Sequence, residues 1–262
     1  MTGTTTHESD LSLGHNLADA ASGIALSFFR REFRRWSKDD GSLATEVDLA
    51  IEDELRSRLA TARPGDAMLG EERGQTGESS RRWIVDGIDG TADFAAGTLD
   101  WGTLIALEVD GDVVVGVCDL PAHGRRYWAV RGGGAFRADG SIETGRRIGV
   151  SAGRDLRMAR SYVPPEEWLP DARARAIASS LASATKPEPQ QDHPALQVAA
   201  GSYELAVFLS AGPWDLAAPA LIVQEAGGRF TDISGRLDLN SGTAIFSNGH
   251  LHDELLRIVA GM

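Results

Sequence analysis

The first long hydrophobic pattern in the chain has the spacing of an amphipathic helix. Over residues 11–34 the apolar side chains recur every three or four positions, and arginines gather towards the end of the stretch. Residues 1–10 are polar and are predicted to form a tail. A second helix is predicted from Thr45 to about Ala62, because Thr45 stands three residues before the acid Asp48, as in a capping box.

From residue 83 the pattern changes to short apolar runs separated by turn residues, which is typical of strands joined by hairpins. The predicted strands are 83–85, 103–109, 113–119 and 126–130. The glycine-rich tract 131–136 lacks the spacing of a dinucleotide-binding loop, so it is predicted to be a hairpin turn that leads into another strand.

The last third of the chain alternates between helical and strand patterns. Helices are predicted over 172–184 and 214–226, and strands over 203–209 and 229–233. No internal repeat or linker interrupts this order. The sequence therefore predicts one layered α/β (α+β) domain over 11–262.

Composition narrows the possible partners. The 262 residues carry 26 Lys+Arg and 38 Asp+Glu, a net charge of −12, which disfavours binding to nucleic acid or to an anionic membrane. The single cysteine, Cys118, excludes an intramolecular disulfide, and the polar first residues lack the pattern of a signal peptide. The longest apolar stretches, such as 216–223, are too short to span a membrane. We therefore expect a cytoplasmic protein.

Two carboxylates occupy an unusual place directly after an apolar strand. Asp86 and Asp89 lie in a glycine-bracketed turn that follows the strand at 83–85. Burying them is costly unless a cation neutralises them, and a site with only oxygen ligands favours Mg²⁺ over Mn²⁺ or Ca²⁺. The alternative is a solvated acidic turn.

Two further segments place acids beside apolar residues. Glu71 and Glu72 end a short apolar run, and Asp215 opens an otherwise apolar helix. Taken separately, the glutamates could be a surface pair and Asp215 an ordinary helix cap. Together with the turn at 86–89, these segments supply the oxygen ligands that a multi-metal phosphate site requires.

Three motifs in this order resemble the inositol monophosphatase superfamily. They read GEE at 70–72, WIVDGIDGT at 83–91, and WDLAA at 214–218 followed by EAGG at 225–228. The segment RPGD at 63–66 resembles most the actinobacterial histidinol-phosphatase branch. The resemblance implies a five-layer α-β-α-β-α sandwich, commonly a homodimer. It also implies Mg²⁺-dependent hydrolysis of a small phosphomonoester such as an inositol, histidinol or sugar phosphate.

The resemblance also implies roles for individual residues. Two or three Mg²⁺ ions, or Mn²⁺ in their place, are expected at Glu71, Asp86, the carbonyl of Ile88, Asp89 and Asp215. Glu71 and Thr91 are the candidates for orienting and deprotonating the attacking water, with Asp48 holding the threonine hydroxyl.

The predicted substrate contacts begin at the turn that precedes Thr91. Backbone N–H groups at Gly90, Thr91 and Ala92 are expected to open a helix and to suit phosphate oxygens. The full set of predicted substrate contacts is Asp89, Gly90, Thr91, Ala92, Asp192 and Asp215.

Several positions depart from the family pattern. Gly87 stands where proline is usual, and Phe208 stands where relatives often have a glutamate that grips the substrate. Asp192 and His193 interrupt the usual Arg-x-x-Gly pattern and are either replacement specificity residues or part of a polar loop. These departures predict a phosphatase whose leaving group has diverged.

Other functions stay open at this stage. A catalytically silent phosphate- or metal-binding protein is the main alternative, and nucleotide 3′-phosphatase or fructose-bisphosphatase activity is another. A phosphoaspartyl mechanism is disfavoured, because two residues separate Asp86 from Asp89 where that motif has one. The remaining aromatic and imidazole side chains are expected to be structural: His7, His15, His123, His250, His252, Trp101, Trp128 and Trp168.

Overall fold

The computed structural model of the chain describes residues 3–39 and 41–261. The helices are α1 (Gly3–Phe28), α2 (Glu46–Ala62), α3 (Thr91–Ala96), α4 (Ala172–Ala184), α5 (Pro194–Ala199), α6 (Pro213–Glu225) and α7 (His252–Ala260). The strands are β1 (Arg35–Ser37), β2 (Leu43–Thr45), β3 (Ala67–Gly70), β4 (Gly74–Thr76), β5 (Arg81–Asp89), β6 (Gly102–Val109), β7 (Asp112–Leu120), β8 (Arg125–Val130), β9 (Gly134–Asp139), β10 (Arg146–Arg147), β11 (Arg160–Tyr162), β12 (Lys186–Pro187), β13 (Leu205–Phe208), β14 (Arg229–Thr231) and β15 (Ala244–Ser247).

The strands form two large sheets and one small hairpin. The larger sheet has eight strands in the order β10-β9-β8-β7-β6-β5-β3-β4. Its pairs are antiparallel except for β3 beside β5, which run parallel. The second sheet has five strands in the order β12-β11-β13-β15-β14, and β1 pairs only with β2.

Three apolar clusters divide the molecule into layers. One cluster joins α1 and α2 to a face of the large sheet. A second fills the space between the two sheets around α5 and α6, and a third joins α4 and α7 to the outer face of the smaller sheet. The order of layers is helix, sheet, helix, sheet, helix, which confirms the predicted five-layer fold.

The first helix differs from its prediction at both ends. It begins at Gly3 and ends at Phe28, so residues 3–10, predicted as a polar tail, belong to the helix. The reason is Asp10, which is 1% exposed and forms ion pairs with Arg63 and Arg81. A turn of helix that is held by ion pairs does not need apolar side chains at helical spacing, so the hydrophobic pattern did not predict the first turns of α1.

The second helix and the hairpin strands confirm their predictions. Helix α2 begins after Thr45, whose hydroxyl and backbone N–H form a capping box with Asp48. The tract 131–136 is the predicted hairpin turn between β8 and β9. Its geometry is fixed by Glu225, whose carboxylate accepts the backbone N–H groups of Gly132 and Gly134 at 2.7 and 2.8 Å.

The tryptophans divide between core and surface. Trp101 and Trp128 are buried, as predicted, whereas Trp168 is 56% exposed in a short 3₁₀ turn at Glu166–Trp168. Of the two places expected for it, core or interface, the structure excludes the core. Among the described residues we find no helix whose length and apolar character would let it cross a lipid bilayer.

Candidate active site

The carboxylates predicted to bind metal meet because of how β3 and β5 pair. The two strands run parallel with Gly70 beside Val85, so Glu71 and Asp86 reach the same edge of the sheet. A register shift then turns β5 between Asp86 and Asp89. Asp215 joins them from the first turn of α6.

Three of these acids form a cluster that could hold a cation. One carboxylate oxygen from each of Asp86, Asp89 and Asp215 lies within 4.8 Å of the other two. Burial raises the pKa of Asp86 well above its usual range, and Glu71, Asp215 and Asp89 raise it further. Like charges held this close are unfavourable without a cation, so the donor set fits a hard divalent metal.

The other members of the cluster are perturbed in the same direction. Burial raises the pKa of Asp89 to about 7, with a further contribution from Asp93. Burial also raises the pKa of Asp215 to about 7, and the charge of Asp89 adds to this effect. These carboxylates gain affinity for protons because their loss of solvent outweighs the groups that oppose the shift, such as the Gly212 N–H and the charge of Lys38 at Asp215.

Glu71 lies beside the cluster and contacts a lysine. The Lys38 Nζ donates to Glu71 Oε1 at 2.7 Å and also contacts Glu72. Burial raises the pKa of Glu71 to about 7, although the Lys38 ammonium opposes this shift. The charge of Asp215 adds to the effect of burial. Lys38 is a functional candidate that the sequence interpretation did not identify.

A buried glutamate holds the turn that carries Glu71. Glu52 is 1% exposed, and its carboxylate accepts the backbone N–H groups of Glu72 and Arg73 at 2.8 and 2.9 Å. A Cβ atom at Gly70 would lie only 2.3 Å from this carboxylate, so glycine is needed for the close approach. Sequence reasoning missed Glu52, although an acid at an apolar position of α2 was a signal.

Thr91 has the contacts that its predicted role requires. Its Oγ1 lies 3.1 Å from Asp48 Oδ1 and 2.9 Å from the carbonyl oxygen of Ile88. The carboxylate of Asp48 also accepts the backbone N–H of Thr45 at 2.9 Å. Burial raises the pKa of Asp48. The structure therefore links Asp48 to Thr91, while the catalytic roles of both stay predictions.

Two glycines allow the turn after β5. Gly90 has a φ of +77°, and a Cβ atom there would lie 2.7 Å from the carbonyl oxygen of Asp100. At Gly87 a Cβ atom would lie 3.3 Å from the carbonyl oxygen of Asp48. Glycine at this departure from the family pattern thus lets β5 approach the first turn of α2 closely.

A cavity of about 630 Å³ opens over the cluster. The predicted residues that line it are Glu71, Asp86, Ile88, Asp89, Gly90, Thr91, Ala92 and Asp215. Asp48 is buried behind Thr91. The structure therefore brings the predicted metal ligands and phosphate contacts together around one space.

Asp192, predicted to contact substrate, does not line this cavity. It is 3% exposed, and its carboxylate contacts Arg125, accepts from Gln197 at 3.2 Å and lies 3.3 Å from the Tyr127 hydroxyl. Its backbone has a φ of +67°, and the same carboxylate accepts the N–H of His193 at 2.7 Å. Asp192 therefore holds a turn instead of meeting a ligand, which corrects the prediction.

The next residue, His193, does line the cavity. Its side chain is 2% exposed, and neither ring nitrogen has a hydrogen-bond partner in the described part of the chain. The nearest charge is Asp89, with 3.8 Å between Nε2 and Oδ2. Burial lowers the pKa of His193 to about 4.

One side of the cavity is aromatic and apolar. Phe208 lies nearly parallel to the His193 ring, with 5.7 Å between the ring centroids, and Tyr162 lies 6.0 Å from Phe208. Trp168 and Leu169 also line this side. Sequence reasoning singled out only Phe208, because the others stand on separate segments that share no motif.

Comparison with known proteins assigns the class. The chain matches the model of the inositol monophosphatase family over residues 7–261, and it belongs to this family. It is 39% identical to a histidinol-phosphatase of Streptomyces coelicolor over 254 residues, covering 94% of this chain and 95% of that protein. The expected likeness to the actinobacterial histidinol-phosphatases is thereby confirmed.

Two further matches show that the fold is shared while the names of the relatives differ. An IMPase of Thermotoga maritima has a TM-score of 0.83 at 27% identity, with 97% of each chain covered. A Streptomyces griseus protein named glucose-1-phosphate thymidylyltransferase is 38% identical over 247 residues, covering 89% of this chain and 90% of that protein. Relatives of almost equal identity thus carry different names, so the site has to indicate the substrate.

Proposed function

We propose that this protein hydrolyses phosphate monoesters of small metabolites with Mg²⁺ held at the carboxylate cluster. The observation that carries the proposal is the meeting of Asp86, Asp89 and Asp215 within 4.8 Å, beside Glu71 and at the floor of a cavity. The chain is a phosphoric monoester hydrolase of the inositol monophosphatase family. Mg²⁺ is proposed because carboxylate and carbonyl oxygens are its preferred protein ligands.

The proposed metal ligands are Glu71, Asp86, the Ile88 carbonyl, Asp89 and Asp215. When bound there, divalent cations supply the charge that makes water a better nucleophile at neutral pH and that stabilises the leaving oxygen. The raised pKa values of the cluster agree with this assignment, because they result chiefly from burial of the carboxylates and further from neighbouring acids, and bound cations would offset both effects.

The residues of the chain orient the water and receive its proton. The Thr91 hydroxyl lies 3.1 Å from Asp48 Oδ1 and 2.9 Å from the Ile88 carbonyl oxygen. Its one proton goes to one of these acceptors, so its oxygen keeps a lone pair to accept a hydrogen bond from water. Glu71 is a second acceptor for the water proton. Lys38 Nζ fixes that carboxylate through Oε1.

The phosphate would lie at the turn between β5 and α3. The backbone at Gly90, Thr91 and Ala92 lines the cavity, and α3 begins there. Backbone N–H groups at such a turn suit phosphate oxygens. Asp89 and Asp215 border the same space and complete the proposed contacts.

The alternatives predict different measurements. A silent binding protein could lose the link between Asp48 and Thr91 without penalty, so its retention at 3.1 Å supports an enzyme. Hydrolysis of nucleotide 3′-phosphates or of fructose bisphosphate uses the same cluster and differs only in the leaving group.

The proposal extends to the assembly of the protein, its location and its partner. A homodimer is proposed from the resemblance to the family, and light scattering coupled to gel filtration tests it. A cytoplasmic location is proposed because the only cysteine, Cys118, is buried and reduced. The proposed partner is a small phosphorylated metabolite, and the net charge of −12 disfavours nucleic acid and anionic membranes.

The deciding experiment measures phosphate release from inositol 1-phosphate, histidinol phosphate, a sugar phosphate and a nucleotide 3′-phosphate, with Mg²⁺ and with a chelator. We expect release from at least one substrate only with the metal. Release from none of them supports the silent binding protein. Release that persists in the chelator contradicts the metal site.

A further inference from the structure

The lining of the cavity over the carboxylates comes from two chemically different groups of residues. The first group is the acids and the turn at 88–92, where the phosphate would bind. The second group is apolar or aromatic and comes from β11, the segment that follows it, and the end of β13: Tyr162, Pro164, Trp168, Leu169, Phe208 and Leu209. We call these six residues the aromatic wall. Because the phosphate fills only part of about 630 Å³, the wall faces whatever the phosphate is attached to.

Trp168 gives this wall an uncovered ring. It is 56% exposed, although tryptophan is usually well covered, and it stands at the cavity in the 3₁₀ turn Glu166–Trp168. Trp168 lines the cavity together with the other five residues of the wall, and a contiguous exposed apolar surface of this kind marks a ligand-binding groove. The face of Trp168 is thus available to a ligand without displacement of the core.

Phe208 is held rigidly in the same wall. It packs against Tyr162 and His193 and meets Phe246 edge-on at 5.5 Å between ring centroids. A ring fixed on three sides cannot turn away to admit water to the wall. The wall therefore presents carbon to the leaving group over most of its surface.

Polar residues also line the cavity beside this wall, among them Glu167, Gln190, Ser210 and His193. His193 is buried with two ring nitrogens that make no hydrogen bond to any described residue. A buried polar group without a partner is unfavourable and calls for an explanation. Binding of a ligand that packs on Phe208 and gives His193 a partner is such an explanation.

We propose that the aromatic wall binds the leaving group and that the preferred substrates are phosphate monoesters of alcohols that carry a flat aromatic or heteroaromatic ring, in preference to polyols. This inference rests on the proposed function. A flat ring stacks on Trp168 and Phe208, whereas the hydroxyl groups of a polyol that face these rings lose water against carbon. Trp168 and Phe208 are then the residues that determine specificity.

The test compares two probes of similar size, 2-phenylethyl phosphate and inositol 1-phosphate, in steady-state assays with Mg²⁺. We expect kcat/KM of the wild-type protein to be at least about tenfold higher for the aromatic ester, the ratio that one good ring contact supplies. Trp168→Ala should lower kcat/KM about tenfold for the aromatic ester, mainly through KM, and leave that of inositol 1-phosphate unchanged.

A second variant, at Phe208, is designed to reverse the substrate preference. Phe208→Glu supplies a carboxylate for hydroxyl groups, so we expect kcat/KM of inositol 1-phosphate to rise and that of the aromatic ester to fall. If this variant does not fold, Phe208→Leu removes the ring and keeps an apolar side chain. The matched control is Trp36→Ala, because Trp36 is 40% exposed and does not line the cavity, so it should leave the substrate ratio unchanged.

The outcomes separate this inference from the proposed function. If neither probe releases phosphate and the four substrates of the broader panel also fail, the proposed function is wrong. If phosphate is released with Mg²⁺ but Trp168→Ala and the Phe208 variants change both probes equally, the function stands and the aromatic wall does not select the leaving group. An equal loss of kcat for both probes would assign these residues to support of the metal site.

Discussion

Two groups of buried acids in this molecule differ in what neutralises them. Acids of the first group are paired with arginines. Asp10, 1% exposed, lies 3.1 Å from Arg63 and 3.0 Å from Arg81, and Asp119, 4% exposed, lies 2.7 Å from Arg126. The pairs of Asp10 join distant segments of the chain, and the pair of Asp119 joins the neighbouring strands β7 and β8, so these acids belong to the fold.

The second group is the cluster of Asp86, Asp89 and Asp215. Within residues 3–39 and 41–261, none of the three forms an ion pair with a lysine or an arginine. Their pKa values are raised, chiefly by burial and further by neighbouring acids. The comparison teaches that burial alone does not identify a functional acid. Asp48 is also buried without a cationic partner, but it accepts hydrogen bonds from Thr45 and Thr91. What distinguishes Asp86, Asp89 and Asp215 is that three carboxylates are buried close together with no ion pair to a lysine or an arginine among the described residues, an arrangement suited to an external cation.

The largest effect on activity is expected from Asp89→Asn. This variant removes one charge from the second group of acids, Asp86, Asp89 and Asp215, which we call the unpaired group. Because even residues that only orient a metal ligand affect activity 10–100-fold, we expect loss of a proposed ligand to lower kcat about 100-fold or more. The same change relieves repulsion, so the melting temperature in chelator should rise. Phosphate release and thermal unfolding measure the two effects.

The control for Asp89→Asn is Asp112→Asn. Asp112 pairs with Arg131 at the surface, where its side chain is 73% exposed, and an exposed ion pair contributes about 0–1 kcal/mol. This variant should keep both activity and stability. Full activity of Asp89→Asn would contradict the metal assignment.

Asp10→Ala, in the group of acids paired with arginines, is expected to lower stability and to leave activity unchanged, the opposite of Asp89→Asn. Its loss leaves Arg63 and Arg81 without their buried partner, but their side chains are 30% and 26% exposed and keep some water. We therefore expect the free energy of unfolding to fall by about 2 kcal/mol, below the full effect of breaking a buried pair. Urea unfolding measures it.

The kcat of folded Asp10→Ala should equal that of the wild-type protein, because Asp10 does not line the cavity. The assay is run at temperatures where Asp10→Ala is fully folded. A lower kcat under these conditions would show that the paired acids affect the unpaired ones, and would contradict the distinction between the two groups.

The same distinction explains what the sequence could predict. Asp86, Asp89 and Asp215 stand beside apolar runs, and their motifs are contiguous, so local pattern was enough to find them. The fold followed from helical and strand periodicity together with the resemblance. Asp10 and Glu52 are also acids in unusual places, but partners that explain them come from other segments: Arg63 and Arg81 for Asp10, and the backbone N–H groups of Glu72 and Arg73 for Glu52. Contacts across the fold have no local signal in the sequence.

The aromatic wall was beyond the sequence for a related reason. Tyr162 ends β11, Trp168 stands in a 3₁₀ turn and Phe208 ends β13, and only the packing of the smaller sheet brings them together. Asp192 was predicted to contact substrate because it stands where the sequence departs from the Arg-x-x-Gly pattern of the family. The left-handed backbone at Asp192 turns its carboxylate to Arg125, and no local pattern predicts that direction.

A smaller effect is expected when Mg²⁺ and protons compete for the unpaired group. The pKa values of Glu71, Asp89 and Asp215 are raised to about 7 from 4.5, 3.8 and 3.8, so the folded, metal-free protein binds more protons than the unfolded chain between these values. Its stability from these groups therefore falls as the pH rises towards 7, and Mg²⁺ replaces the lost protons.

We expect the rise in melting temperature caused by saturating Mg²⁺ to grow from pH 6 to pH 8 and to reach about 5–10 °C. Thermal unfolding with Mg²⁺ and with chelator measures this difference at each pH. Asp89→Asn should reduce the rise at pH 8. A rise that is the same at both pH values would show that protons and the metal do not share these carboxylates.

The smallest effect concerns a buried group that stays neutral. His252 is 0% exposed, with Nδ1 2.8 Å from the Ser247 hydroxyl and Nε2 2.9 Å from the Thr231 hydroxyl. Burial, and then the charge of Arg229, lowers its pKa to about 4 from 6.5. Between these values the unfolded chain binds the proton first, so the stability from His252 is present above pH 6.5 and is lost as the pH falls towards 4.

His252→Gln should remove this share of the acid sensitivity. Urea unfolding of both proteins in chelator at pH 7 and pH 5 measures it, because the acids of the cluster contribute equally to both and cancel in the difference. We expect the wild-type protein to lose more stability than the variant on acidification, by at most about 1.4 kcal/mol per pH unit. If the wild-type protein and the variant lose the same free energy of unfolding on acidification, the folded protein protonates His252 as readily as the unfolded chain does. The prediction would then be wrong.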